Sequence, residues 1–117
     1  MTRVGADQLA ERLRARIRDI QDFPQPGILF KDITPVLSDP DLFPAVVRRL
    51  ADELAPLGVE QVVGIESRGF IFAAPVALRL TSGFVPVRKP GKLPYRTMRV
   101  DYELEYGTDA VEAHVDA

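Results

Sequence analysis

The feature that most restricts the fold is the segment VVGIESRGFIF, residues 62–72, in which a Glu-Ser-Arg-Gly sequence separates two apolar runs. The overlapping run VEQVVGIE is rich in β-branched residues and predicts a short strand covered on both faces, as in a parallel sheet. GFIFAAPVALRLTSG is long enough for a helix, and FVPVRK predicts a second strand. A strand, a helix and a strand in this order indicate a right-handed crossover over about residues 59–88, and therefore an α/β fold.

Further elements are predicted on both sides of this unit. Apolar residues near the N-terminus recur at helical spacing and predict an amphipathic helix that the prolines at 24 and 26 end. A second helix is predicted between Asp39, as its N-cap, and Gly58, at its C-terminal end. Residues 96–115 alternate loosely, which predicts a hairpin with its turn at Gly107-Thr108-Asp109. The residues on the apolar stripe of the first helix are Leu9, Leu13, Ile17 and Ile20.

Composition excludes several classes of function. The 117 residues suit one domain, and 46% apolar with 27% charged residues is typical of a globular protein. A net charge of −2 provides no general field for DNA or RNA. The absence of cysteine and the presence of one histidine exclude a thiol nucleophile and a multi-histidine metal centre. No signal peptide and no apolar run of about 20 residues is present, so we expect a cytoplasmic protein without a membrane partner.

Cations follow both predicted strands, where open α/β sheets bind their ligands. The first strand runs into a Glu-Ser-Arg-Gly loop at a helix start, where unpaired backbone N–H groups favour an anion. The second strand ends in an Arg-Lys pair, with another lysine just beyond a Pro-Gly turn. This arrangement in an acidic protein predicts a phosphate site. Its candidate residues are Glu66, Ser67, Arg68, Gly69, Arg88, Lys89 and Lys92.

Each of these segments also has a purely structural interpretation. The cations can form a solvated surface on which Arg68 pairs with Glu66. The proline-rich segment 22–37 can be a linker packed across the core, or a substrate loop in which Leu29 and Phe30 supply apolar faces. Glu105 can belong to a solvated hairpin tip, or it can transfer a proton from a mobile loop.

Four stretches, FPQPGILFKDITPVL, GIESRGFIFAAPVA, VPVRKPGKLP and YELEYGTDAVEAHVDA, occur in this order and together resemble the adenine phosphoribosyltransferase family. The match runs from Phe23 to the last residue. The resemblance implies a type I phosphoribosyltransferase fold, an α/β parallel sheet with an N-terminal hood. It also implies a purine-salvage enzyme that transfers the 5-phosphoribosyl group from 5-phosphoribosyl 1-diphosphate to adenine, giving AMP and diphosphate. Mg²⁺ bound with the diphosphate substrate and a homodimer are implied as well.

The resemblance assigns roles to the candidate residues. Leu29, Phe30 and Lys31 become the adenine-facing stretch of the hood, and the 66–69 loop becomes a diphosphate loop with a cis peptide after its glutamate. The cations at 88, 89 and 92 become further diphosphate contacts, some of them to a neighbouring subunit's site. Glu105 and Tyr106 fall on a flexible loop that closes over the reactants, with Glu105 as the acid or base near the purine.

One departure from the family concerns the end of the sequence. In the family, the segment after HVDA leads into a strand with two acids and a Thr/Gly-rich loop, which this sequence lacks. The resemblance therefore implies an incomplete domain without the C-terminal part of its core. The incomplete domain is expected to consist of a helix and hood (1–37), a helix plus strand–helix–strand core (38–95) and a flexible-loop hairpin (96–117). The alternative is a non-catalytic relative that acts as a binding or dimerisation module.

Overall fold

The computed structural model describes residues 6–105 and 107–117, and the described residues form two compact units that divide in the sequence between Leu50 and Ala51. The first unit contains α1 (Ala6–Arg16), β1 (Arg18–Gln21), β2 (Leu29–Asp32), α2 (Thr34–Leu37) and most of α3 (Leu42–Leu54). A 3-10 turn (Ala55–Leu57) then leads to β3 (Gln61–Ile65), α4 (Arg68–Arg79), β4 (Gly83–Val87), β5 (Thr97–Leu104) and β6 (Gly107–His114). No helix in the described ranges is long and apolar enough to cross a membrane.

The first unit differs from its prediction at the end of the first helix. Helix α1 ends at Arg16, and Ile20 lies in β1, where it is paired with Phe30 of β2 in an antiparallel register. The predicted helix is therefore wrong beyond Arg16, and the prolines at 24 and 26 follow a strand. Pairing with a distant strand outweighs a weak local helical preference. The buried core of this unit contains Leu9, Val36, Leu42 and Ala45, with Leu13, Ile17 and Val46 packed against it.

The predicted cap of the second helix is confirmed, although the helix starts at Leu42, three residues after Asp39. The backbone N–H groups of Asp41 and Leu42 donate to Asp39 Oδ1 at 2.9 and 3.0 Å. These hydrogen bonds, with a smaller contribution from the Arg16 charge, lower the pKa of the Asp39 carboxyl. Gly58 ends the following 3-10 turn with φ of 65°, a left-handed conformation that glycine adopts without steric cost.

The second unit contains the predicted strand–helix–strand crossover. Strands β3 and β4 are parallel, in a register from Gln61 opposite Gly83 to Ile65 opposite Val87. Helix α4 packs on this pair so closely that a Cβ at Gly64 would lie 2.8 Å from the Ala73 Cβ. Glycine at this position therefore sets the distance between the helix and the sheet.

Strands β5 and β6 form the predicted hairpin, but its turn lies earlier than predicted. Leu104 is opposite Gly107, and Tyr102 is opposite Asp109. Thr108 and Asp109 are thus strand residues, and the turn at 107–109 is a wrong prediction. An antiparallel bridge between Arg88 and Glu112 joins the hairpin to the residues that follow β4.

Candidate functional site

The two strand ends that carry the candidate phosphate ligands lie side by side. Ile65 and Val87 are register partners, and the Glu66 N–H donates to the Val87 carbonyl at 3.0 Å. The Glu66–Ser67 peptide is cis, as the resemblance implies, and α4 begins at Arg68. The parallel pairing therefore brings the 66–69 loop and the 88–92 loop to the same edge of the sheet.

The carboxylate of Glu66 connects these two loops. Its Oε1 accepts the backbone N–H of Lys89 at 2.6 Å and lies 3.3 Å from Arg88 Nε. The Arg88 Nε is buried, and within the described residues it has no hydrogen-bond partner, so its contact with Glu66 is an ion pair without hydrogen-bond geometry. Since the Glu66 carboxylate already contacts Arg88 and the Lys89 backbone, it positions the 88–92 loop. The part of Glu66 that a ligand could contact is therefore its backbone.

The ammonium of Lys89 is held by the hairpin. Lys89 Nζ donates to the Tyr102 hydroxyl at 3.0 Å and to Asp109 Oδ2, and it lies 5.7 Å from the centre of the Tyr102 ring. The hydrogen bond to Asp109 raises the pKa of Lys89, and the same bond lowers the pKa of Asp109. Both groups therefore stay charged at neutral pH.

A second carboxylate, Glu112 of β6, holds the backbone of the 88–92 loop. Its Oε1 accepts the Gly91 N–H at 3.0 Å, and its Oε2 accepts the Thr97 hydroxyl at 3.2 Å. The backbones of Arg88 and Glu112 also exchange two hydrogen bonds, of 2.9 and 2.7 Å. The roles of Glu112 and Asp109 are not evident from the sequence, because their partners depend on the hairpin register.

The remaining candidates of this edge are closer to solvent. Ser67, Arg68 and Lys92 are exposed, and Gly69 is half-buried at the start of α4. Ser67 and Arg68 lie where the helix N-terminus leaves backbone N–H groups available, so they can approach an anion from outside, and Lys92 belongs to the second loop. The structure therefore provides the site with Arg88 and Lys89, which contact carboxylates, and with Arg68 and Lys92, whose side chains are exposed.

The candidate proton-transfer residues lie at the far end of the hairpin. Glu105 is exposed in the turn after β5, and Tyr106 lies outside the described residues. Glu105 is three residues beyond Tyr102, which corresponds to about 10 Å along a strand. The contacts of Lys89 with Tyr102 and Asp109 therefore tie the tip region to the candidate anion site.

The predicted adenine-facing stretch belongs to the first unit, and its three residues do not share one face. Side chains alternate along β2. Phe30 lines a cavity of about 410 Å³ together with Ile20, Phe23, Asp32 and Thr34. Leu29 instead lines a second cavity of about 270 Å³, and Lys31 Nζ pairs with Asp19 Oδ1 at 2.6 Å.

The cavity beside Phe30 combines aromatic and polar groups. The rings of Phe23 and Phe30 meet edge to face, with centroids 5.1 Å apart. At the cavity wall the Thr34 hydroxyl donates to Asp32 Oδ1 at 2.7 Å, and this bond lowers the pKa of Asp32. An apolar cavity of this size with a few fixed polar groups is typical of a site for a small organic ligand.

Comparisons with known proteins agree on one family. The chain is 59% identical to an adenine phosphoribosyltransferase of Acidothermus cellulolyticus over 109 residues, which cover 93% of the chain and 62% of that protein. It is 55% identical to the enzyme of the same name from Pectobacterium atrosepticum, over the entire chain and 63% of that protein. No family model matches the sequence. The chain is a relative of the adenine phosphoribosyltransferases.

Solved structures of this family show the same fold. The crystal structure of adenine phosphoribosyltransferase from Thermoanaerobacter pseudethanolicus matches with a TM-score of 0.86 at 53% identity, over 92% of this chain and 62% of that one. The Saccharomyces cerevisiae enzyme, complexed with adenine and an imino-altritol bisphosphate, matches with a TM-score of 0.86 at 38% identity, over 95% of this chain and 65% of that one. The type I phosphoribosyltransferase fold is thus confirmed. The chain spans about three-fifths of the length of these relatives.

Proposed function

We propose that this chain carries the diphosphate-binding part of an adenine phosphoribosyltransferase, an enzyme of purine salvage. The reaction transfers the 5-phosphoribosyl group from 5-phosphoribosyl 1-diphosphate to adenine and releases AMP and diphosphate. One observation carries the proposal. Two cationic loops meet at the carboxyl edge of a parallel strand pair, in a protein whose net charge is −2.

In this proposal the 66–69 loop binds the diphosphate. Arg68 supplies a planar donor pair for phosphate oxygens, Ser67 supplies a hydroxyl, and Gly69 allows the ligand to approach the backbone at the helix start. Lys92 adds a compact positive charge from the second loop. The carboxylate of Glu66 keeps the Lys89 backbone in place, so that both loops face the same ligand.

Magnesium enters this proposal with the substrate. The described residues contain no group of three or more His, Cys, Asp or Glu side chains that could hold a metal ion. Mg²⁺ is commonly bound through substrate phosphates and water with few protein carboxylates. The side chains at this edge therefore fit an ion that arrives bound to the diphosphate, where it would neutralise charge on the leaving group.

The adenine-facing stretch and the acid–base residue complete the proposal. Phe30 offers its aromatic ring to the base in the cavity that it lines, and the backbone of residues 29–31 offers hydrogen bonds. Glu105 exchanges a proton with the purine when the hairpin closes, and closure keeps water from the reacting carbon. The proposed assembly is a homodimer, in which some of the cations at 88, 89 and 92 reach a neighbouring subunit's site.

The test of the proposed function is AMP synthesis by the protein encoded by the whole reading frame that contains these residues. Labelled adenine, 5-phosphoribosyl 1-diphosphate and Mg²⁺ are incubated with the protein, and AMP is separated and counted. We expect AMP to form, and an Arg68→Ala variant to be at least about tenfold slower because a charged donor to the diphosphate is lost. Adenine left unconverted by the wild-type protein would overturn the proposal. Diphosphate binding without AMP would favour a non-catalytic binding module instead.

A further inference from the structure

Lys89 belongs at once to the candidate diphosphate site and to the hairpin. An ammonium has three N–H donors, and two of them are directed at the Tyr102 hydroxyl and at Asp109 Oδ2. The lysine follows β4 at the edge where the anion is proposed to bind, whereas both of its partners lie on the hairpin strands β5 and β6. The same positive charge can therefore serve either of two anions.

The charges at this position favour competition between the two anions. Asp109 compensates the charge of Lys89, and Glu66 compensates that of Arg88. The charges of Lys89 and Arg88, both expected to attract a diphosphate, are thus compensated in this conformation. The side chains of Lys89 and Asp109 are 42% and 33% exposed, so an anion from solvent can reach the pair. A diphosphate carries more negative charge than one carboxylate, and it is the stronger partner for an ammonium.

We propose that diphosphate and Asp109 compete for Lys89, so that filling the anion site breaks the contacts of this lysine with the hairpin. The inference rests on the proposed diphosphate site and adds a regulatory contact to it. With the site empty, the lysine holds Tyr102 and Asp109 and thereby the strand pair that leads to Glu105. With the site filled, the ammonium turns to the phosphate oxygens and leaves Tyr102 and Asp109, while the Arg88–Glu112 bridge still joins the hairpin to the residues after β4.

The test is calorimetric titration of inorganic diphosphate, with Mg²⁺ present, into the wild type and three hairpin variants. Asp109→Asn removes the competing charge, and Asp109→Glu restores it. The matched control is Glu103→Gln, which changes the net charge by the same amount on the same hairpin. Glu103 is exposed and is adjacent to Tyr102 in β5, so its side chain points to the opposite face.

We expect Asp109→Asn to bind diphosphate about two- to fivefold more tightly than the wild type, as loss of a partly exposed ion pair suggests. Asp109→Glu and Glu103→Gln should bind like the wild type, and the gain should shrink at high salt. In NMR spectra the Ala110 amide, which donates to Asp109 Oδ1 at 2.8 Å, should shift on diphosphate addition in the wild type.

Two results would distinguish failure of the competition from failure of the diphosphate site itself. If the wild type binds diphosphate but Asp109→Asn binds it equally or more weakly, the competition is refuted while the proposed site stands. Weaker binding would mean that Asp109 aims the lysine at the ligand. If the wild type binds no diphosphate, the proposed site itself fails and the competition fails with it.

Discussion

Replacing Gly64 with alanine should separate α4 from the sheet and destabilise the second unit. A Cβ at this position would lie 2.8 Å from the Ala73 Cβ, 2.9 Å from Phe84 Cε1 and 3.2 Å from the Gly69 carbonyl oxygen. Carbon atoms in contact prefer about 3.5–4.0 Å, so the new methyl group is too close on two sides by about 0.6–1.2 Å. Neither neighbour is the end of a long flexible chain, so the helix or the ring must move.

The expected cost follows from opposing effects. Forcing a methyl group into a packed interior costs about 1–3 kcal/mol. Alanine also restricts the unfolded chain, which returns about 0.4–1 kcal/mol. We therefore expect a net loss of about 1–2 kcal/mol in the free energy of unfolding. Because the Gly69 carbonyl is one of the close atoms, the start of α4 should shift as well, and diphosphate binding should weaken.

The assay is urea unfolding followed by circular dichroism, with Gly83→Ala as the matched control. Gly83 lies in the neighbouring strand of the same pair, and a methyl group there would have Gln61 Cγ and the Glu60 carbonyl oxygen as its nearest atoms, each 3.8 Å away. That variant should unfold within about 0.5 kcal/mol of the wild type. A Gly64→Ala protein as stable as Gly83→Ala would refute the close-packing argument.

Two further predictions concern carboxylates that accept backbone hydrogen bonds. Glu66→Ala leaves the Lys89 N–H without its acceptor and should lower the free energy of unfolding by about 1–2 kcal/mol in urea titrations. Glu66→Gln should lose less stability, because its amide oxygen can still accept this hydrogen bond. Equal losses in the two variants would contradict this role of Glu66. The lowered pKa of Asp39 means that its stabilising contribution is present above its unfolded pKa of about 3.9 and is lost as pH falls through the lower folded pKa. Asp39→Ala should therefore melt below the wild type at pH 7, with a difference that narrows in scans below about pH 4; a constant difference would contradict the assignment.

Local sequence patterns predicted the order of strand, helix and strand in the second unit, but the expected cover on both faces of the first strand is wrong, because Val63 and Ile65 are exposed. The β-branched strand, the helix with Pro75 and the second strand follow from composition and punctuation alone. The end of α1 could not be predicted in this way, because Ile20 continues a helical spacing but gains a partner, Phe30, that lies ten residues away. The segment around Ile20 could be helical or extended on local grounds, and the nonlocal pairing with β2 makes it a strand.

The candidate site shows the same division between local and nonlocal information. The rule that ligands bind at the carboxyl ends of parallel strands located Arg68 and Lys89 before any contact was known. The partners of Lys89 could not be found, because placing the turn at 107–109 kept Asp109 out of the strand that faces Tyr102. The roles of Glu105 and Tyr106, the boundaries at 37 and 95, and the cytoplasmic location stay predictions.

The most direct test of the diphosphate site is calorimetric titration of Mg²⁺-diphosphate into the wild type, Arg68→Ala and Arg79→Ala. Both arginines are exposed on α4, one at its first residue beside the strand ends and the other at its last. The site predicts that Arg68→Ala weakens binding by about tenfold, as expected for loss of a charge-assisted contact, while Arg79→Ala binds like the wild type. Equal affinities for all three proteins would contradict the placement of the site at the start of α4.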